Sequence, residues 1–156
     1  MPFHSQIRQD EILDEHLFLG FREGTFVEVG ALYGIRFSNT LFFEEEPGWR
    51  GVCVEPEPRN YALLCANRPN TVNFQFAVSD SDGKATFIRA RGGGLGGLEG
   101  KADIRRIERE GRYEVRIEVN CRPLSSMLSE ASVTEVYYLS VDVEGAEPQV
   151  LGDLDF

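Results

Sequence analysis

An α/β fold with a mainly parallel sheet is what the sequence predicts, and three features carry that expectation. Short apolar runs, TFVEV at 25–29, GVCV at 51–54 and VYYLSVDV at 136–143, leave no room for a solvated face. Strands of that kind belong to sheets buried on both sides. Stretches of helical periodicity alternate with them, which is the pattern of β–α crossover units. Gly20, Pro47, Pro69 and the Gly92–Gly97 cluster punctuate the chain where one element should give way to the next. At 156 residues the chain is long enough for one domain with a real core, and it shows neither an internal repeat nor a linker.

Taken in order, Gln9 to Leu19 reads as a helix with Ile12, Leu13 and Leu17 as its apolar stripe and Gly20 as its stop. Thr25–Val29 is the first strand. Ser38 can cap a second helix that runs through Phe43. Gly51–Val54 is the second strand and leads directly into Glu55. Pro58 suits the first turn of a helix whose Tyr61, Leu64 and Cys65 share one side. Val72 to Val78 reads as the third strand. The pattern then changes: Ser81-Asp82-Gly83 signals a turn into Ala85–Ile88 and so a hairpin. GGGLGG at 92–97 reads as a flexible loop and Lys101–Glu110 as a charged helix. Tyr113, Val115, Ile117, Val119 and Cys121 alternate with polar residues, the mark of a half-exposed strand. A short helix over Pro123–Glu130, the core strand Val136–Val143 and a helix over Ala146–Leu151 complete the reading. The segment at about 82–122 is an insertion in an otherwise regular single domain, 1–156.

The net charge of −10 argues against general nucleic-acid binding. From Lys84 to Arg122, however, there are ten basic and six acidic residues, a balance of +4 that leaves −14 for the remainder. Such a segment on an acidic body could steer an anionic substrate or could be a solvated, salt-bridged helix. Cys53, Cys65 and Cys121 form no CxxC or CxxH pair, so no zinc site or disulfide framework is expected. Reduced thiols, an N-terminus without an apolar signal core and no run of membrane-spanning length point to a cytoplasmic protein without a membrane partner.

The chemistry lies at the strand ends. Glu28 and Gly30 close the first strand, Glu55 follows the second and Asp142 the last. In open α/β sheets ligands sit beyond the carboxyl ends of the strands, so these residues describe an acid-lined pocket with a glycine floor. Gly30 and Gly34 allow a tight turn and a close approach to a ligand. Their spacing, GALYG, is not the GxGxxG that cradles a pyrophosphate. Glu55 stands where an acid can accept both hydroxyls of a ribose. A nucleoside without a diphosphate and with a cationic group attached answers all of this, and S-adenosylmethionine is such a molecule. A nicotinamide-dependent oxidoreductase would also place an acid after the second strand, but it would need the missing turn.

The stretches SQIRQDEIL (5–13), GTFVEVGALYGIRFSNTLFFEE (24–45), GWRGVCVEPEPRNYALLCANR (48–68) and LSVDVEGAEPQVL (139–151) together resemble the FkbM-type methyltransferases. The resemblance implies S-adenosylmethionine as cofactor and a Rossmann-like methyltransferase fold, with helices on both faces of the sheet and without the usual C-terminal strands. It assigns Glu28, Gly30, Ala31 and Gly34 to the first cofactor loop, Asn39 to the methionine group or the loop, and Glu55 to the ribose. Val78 and Asp80 fall in the stretch that contacts adenine, and Asp142 and Glu144 flank the methionine end and the acceptor. The resemblance also points to O-methylation of a small molecule or sugar.

Asp142 is the candidate base for the acceptor hydroxyl, with Glu144 second. Two close acids could instead hold a divalent cation, but no histidine accompanies them. Glu147 reads as a solvent-facing or capping residue. The Gly92–Gly97 loop and the basic helix after it would form either a mobile cover over the acceptor site or a disordered surface insertion. A sheet without its last strands has an open edge that invites a homodimer. The alternative function is a non-catalytic S-adenosylmethionine-binding or assembly module that keeps the same core.

Overall fold

A computed structural model describes residues 3–90, 96–101, 114–152 and 154. It contains two four-stranded sheets. The first is wholly parallel and is formed by β1 (Thr25–Val29), β2 (Arg50–Val54), β3 (Val72–Phe74) and β8 (Tyr138–Val141), in the spatial order β3-β2-β1-β8. The second has the order β4-β7-β5-β6, where β4 is Ala77–Val78, β5 Gly83–Ala90, β6 Gly96–Leu98 and β7 Glu114–Arg122. The helices are α1 (Gln9–Leu13), α2 (Leu41–Glu45), α3 (Pro58–Asn67), α4 (Leu124–Glu130) and α5 (Glu147–Leu151).

Strand parity divides the core. Val27 and Val29 pair in register with Val52 and Val54 of β2 and with Leu139 and Val141 of β8. Side chains alternate across a strand, so this face packs as one unit, against Leu124 and Met127 of α4 and Val150 of α5. The opposite face carries Phe26, Cys53 and Tyr138 and packs against Phe42 and Phe43 of α2, Leu64 of α3 and Trp49. Helices thus cover both faces, as continuous apolar strands require. The thiol of Cys53 is fully buried on the second face, and burial, followed by the nearby Glu28 carboxylate, pushes its pKa up to about 12.

Three expectations are corrected. The first concerns the N-terminal helix. After α1 the chain widens into a π-helical turn, Asp14–Phe18, closed by Leu19 N–H donating to Asp14 O at 2.8 Å. The i→i+5 spacing rotates the buried stripe from Leu13 and Leu17 to Leu13 and Phe18. Phe18 meets Trp49 edge-on at 4.7 Å between ring centroids, while Ile12 and Leu17 are exposed. The second concerns Val72–Val78, which is not one strand. It breaks after Phe74 and leaves the parallel sheet, and Ala77–Val78 pairs instead with β7. The third concerns the turn at Ser81–Gly83. It joins β4 to β5, but the antiparallel partners of β5 are β6 and β7. The expected helix Lys101–Glu110 and the loop residues 92–95 fall outside the described residues, apart from Lys101. Gly96 and Gly97 belong to β6.

One buried charge cluster ties the second face together. Arg68, at the C-terminus of α3, has a side chain with no solvent exposure. Its Nε donates to Glu44, its Nη1 to Gly34 O (3.3 Å) and Ser38 Oγ (3.2 Å), and its Nη2 to Thr40 Oγ1 (3.3 Å). Glu28 lies 3.6 Å from the same guanidinium. Removing one member of such a cluster leaves carboxylates buried without compensation. Arg68→Met should therefore lower the unfolding free energy by about 3–5 kcal/mol, measured by urea denaturation, and a loss below ~1 kcal/mol would show that Glu28 and Glu44 are satisfied without it.

Candidate functional site

A cleft opens at the carboxyl edge of the parallel sheet, where β1, β2 and β8 end, and the second sheet closes its far side. Val29, Gly30 and Leu32 come from the end of β1. Glu55, Pro56, Glu57 and Asn60 come from the β2–α3 turn, and Asp142, Val143, Glu144 and Ala146 from the β8–α5 turn. Phe76, Ala77 and Val78 form one apolar flank, and Phe87, Arg89 and the Gly96–Leu98 strand form the cover. The cleft is open to solvent, and its space amounts to about 760 Å³ only when that open mouth is counted.

Glu55 is the central polar group. It is the first residue past β2, and only 2% of its surface is exposed. Oε2 accepts from Leu32 N–H at 2.9 Å and Oε1 from Glu57 N–H at 3.0 Å. Leu32 reaches it because its own backbone is left-handed, φ 51°. Burial raises the Glu55 pKa from 4.5 to about 7, against the lowering effect of these two N–H donors. A carboxylate offers about four acceptor positions; besides these two N–H groups the Asn60 side chain also bonds to Glu55, and the remaining capacity faces the cleft. Below Glu55, Gly30 has φ 86°, and a Cβ on it would lie 2.0 Å from the carbonyl oxygen of Asp142. The β1 and β8 turns can touch only because that atom is absent.

Of the residues the sequence singled out, Gly30, Glu55, Val78, Asp142 and Glu144 share this cleft. Asp142 is exposed at its mouth. Glu28 does not line it, which corrects the expectation of a ligand-facing acid. Its register with Cys53 and Ser140 puts it on the second face of the sheet, where the protein itself satisfies it. Oε2 accepts from Ser38 Oγ (2.8 Å) and Thr40 Oγ1 (2.7 Å), and Oε1 from Asn39 N–H (2.8 Å). Ala31 and Gly34 also lie behind the cleft. Ala31 packs in the second-face core, and a Cβ on Gly34 (φ 78°) would meet Leu64 Cδ1 at 2.6 Å and Arg68 Cγ at 2.7 Å. Asn39 Nδ2 donates to Ser140 Oγ at 2.9 Å. These four residues shape the loop from behind. Asp80 is exposed and accepts from Ser79 Oγ and Ser81 Oγ, away from the cleft. Glu147 accepts from Gly145 N–H through both oxygens, a capping arrangement.

The structure adds residues that the sequence reading did not select. Glu57 caps α3 by accepting from Asn60 N–H at 2.8 Å through Oε2, while its Oε1 accepts from Arg89 Nη1 at 2.9 Å. Pro58 after Glu57 is the local signal of that cap; no local signal exists for its pairing with Arg89, which joins the two sheets. Among the described residues, no three His, Cys, Asp or Glu side chains converge to hold a metal ion, and no helix is long and apolar enough to cross a membrane.

A protein-family model described as the methyltransferase FkbM domain matches residues 28–156. The searches of curated proteins and of solved structures found no match.

The Glu55 environment generates a test that needs no ligand. An acid whose pKa is raised on folding carries no penalty below the unfolded value, here 4.5. The penalty grows as pH rises from there and is complete above about 7. Relative to wild type, Glu55→Gln should therefore gain melting temperature progressively across that window. A difference that stays constant with pH would show that Glu55 is not held in a desolvated site.

Proposed function

The chain belongs to the methyltransferase FkbM domain family, and on that premise we propose that it methylates a hydroxyl of a small molecule or sugar using S-adenosylmethionine. One observation carries the cofactor assignment: a buried carboxylate, Glu55, with acceptor capacity to spare, set in a mainly apolar cleft at the carboxyl edge of a parallel sheet. The residues present fit the group. Glu55 would accept the ribose hydroxyls, Pro56, Phe76 and Val78 would flank the base, and the Gly30 backbone and Asp142 would hold the methionine end. This is also the ligand position of a Rossmann-like fold, the finer architecture proposed for the parallel sheet.

When bound, S-adenosylmethionine supplies a methyl group already activated by positive sulfur. The protein's task is then to orient the acceptor, exclude water and take a proton. Phe87 and Leu98 of the second sheet wall the cleft opposite the strand ends and displace solvent from it. Desolvation and positioning of this kind can supply much of the rate of a displacement reaction. Asp142 lies at the mouth, where its carboxylate can receive the acceptor's hydroxyl proton, and Glu144 borders the same opening.

Two measurements test the reading. Calorimetric titration should show S-adenosylhomocysteine binding and no binding of NAD; the reverse result would replace the transferase with an oxidoreductase. With a panel of hydroxylated small molecules and sugars, and with S-adenosylmethionine at saturation, Asp142→Asn should lose turnover by ~10²–10⁴-fold. Unchanged turnover would remove Asp142 from the proton transfer.

A further inference from the structure

The second sheet does more than cover the cleft. Arg89 on β5 reaches across to Glu57 in the turn that follows Glu55, with Nη1 to Oε1 at 2.9 Å. The Glu57 side chain is 4% exposed and the Arg89 side chain 19%. The pair is therefore largely withdrawn from water, where an ion pair holds its geometry far better than at a surface. Glu57 is bonded three times over: its backbone N–H donates to Glu55 Oε1, its Oε2 caps Asn60 N–H, and its Oε1 takes Arg89. A continuous path thus runs from a strand of the inserted sheet, through one ion pair and one backbone N–H, to the central carboxylate of the cleft.

We propose that Arg89 is a positioning residue for Glu55: it holds the turn that aims the Glu55 carboxylate into the cleft, and it offsets the charge of Glu57 beside it. Without Arg89, Glu57 would keep only the Asn60 N–H as a partner for its carboxylate and would be a buried negative charge without a counterion, two residues from a second buried acid. Like charges at that range hinder ionisation, and Glu55 must be ionised to accept two hydroxyls at once. The charged groups around Glu55 among the described residues are Glu57 from the β2–α3 turn, Arg89 from β5, and Asp142 and Glu144 from the β8–α5 turn. The β1 end contributes the Leu32 N–H and backbone glycine, and the β4 flank contributes apolar side chains. Arg89 is the one cation in this set. It makes the inserted sheet part of the binding apparatus, because the charge state of the diol-binding acid depends on a residue outside the parallel sheet. That the diol is a nucleoside's rests on the function proposed above; the aiming of Glu55 does not.

The test separates the two. Carboxyl NMR titration of glutamate-labelled protein, with Glu55 assigned by its loss in Glu55→Gln, reads the ionisation of Glu55 without any ligand. Arg89→Met should move its midpoint upward, Glu57→Gln should move it downward, and Arg89→Lys should leave it near the wild-type value. In parallel, calorimetry should show S-adenosylhomocysteine bound about tenfold more weakly at neutral pH by Arg89→Met, with affinity largely restored in Arg89→Lys. An unmoved Glu55 midpoint in Arg89→Met would overturn the proposal. So would equal weakening in Arg89→Met and Glu57→Gln with no midpoint change, since that is the signature of a purely structural tie. If the midpoints move as stated but wild type binds no S-adenosylhomocysteine, the positioning role stands and the nucleoside assignment falls.

Discussion

The buried guanidinium of Arg68 is the constraint on which the rest of this architecture depends. Withdrawing a charge from water costs several kcal/mol even after relaxation, so a buried ion persists only with good geometry and near-complete hydrogen bonding. Arg68 has both. It touches the segment after β1 at Gly34, Ser38 and Thr40, reaches α2 through Glu44, and lies beside Glu28 in β1 itself. The crossover between β1 and α2 has almost no regular structure of its own, and this cluster gives it a single conformation. An apolar substitute could fill the same space at comparable stability, yet it would not specify which backbone carbonyl and which hydroxyls meet there. Specificity of the loop is what the cluster supplies, and the Leu32 N–H that meets Glu55 sits on that loop.

Whether an acid lies in the cleft or behind it is decided here by two residues of register. Glu28 is the fourth residue of a five-residue strand, still inside the ladder and paired with Cys53 and Ser140. Its side chain must follow strand parity onto the helix-covered face. Glu55 and Asp142 are each the first residue after a strand. Freed from the ladder, they can turn over the sheet's edge. The same carboxylate chemistry faces the helix-covered core inside the strand and lines the cleft just beyond it.

That distinction marks how much was legible in the sequence. The strands 25–29 and 50–54, the Pro58 helix and the two C-terminal helices are visible because their signals are local: apolar runs, a proline at the first turn, a glycine or proline stop. The cleft's own acids, Glu55 and Asp142, are visible for the same reason. The inward face of Glu28 is not legible, because a short apolar run does not reveal where pairing ends. The π-helical turn was not legible either, since Leu17 and Phe18 are both apolar and only contact with Trp49 and Phe43 selects Phe18. The split of 72–78 into two strands belongs to two sheets at once and depends on β7, more than forty residues downstream in the chain. The Arg89–Glu57 pair is hidden by the same separation. A charged residue on an alternating strand looks solvated until the surface opposite it is known.

The two sheets contribute differently to the cleft. The parallel sheet brings Glu55 to the edge and buries it, which makes the ionised form costly in the absence of a partner. The second sheet brings an apolar wall, which deepens that cost, together with a cation one residue removed, which moderates it. On the proposed function, ligand hydroxyls would take the acceptor capacity that the Leu32 and Glu57 N–H groups and the Asn60 side chain leave over. A ligand lacking one of those hydroxyls leaves a buried carboxylate lone pair without a donor, and sites built around such groups reject the incomplete analogue far more strongly than an apolar pocket rejects a misfit. On the proposed function, the desolvation of Glu55 would be the source of discrimination between a diol and its analogues. A solvated Glu55 would be cheaper to fold around and would tell a diol from its deoxy counterpart poorly, because water could take the missing hydroxyl's place.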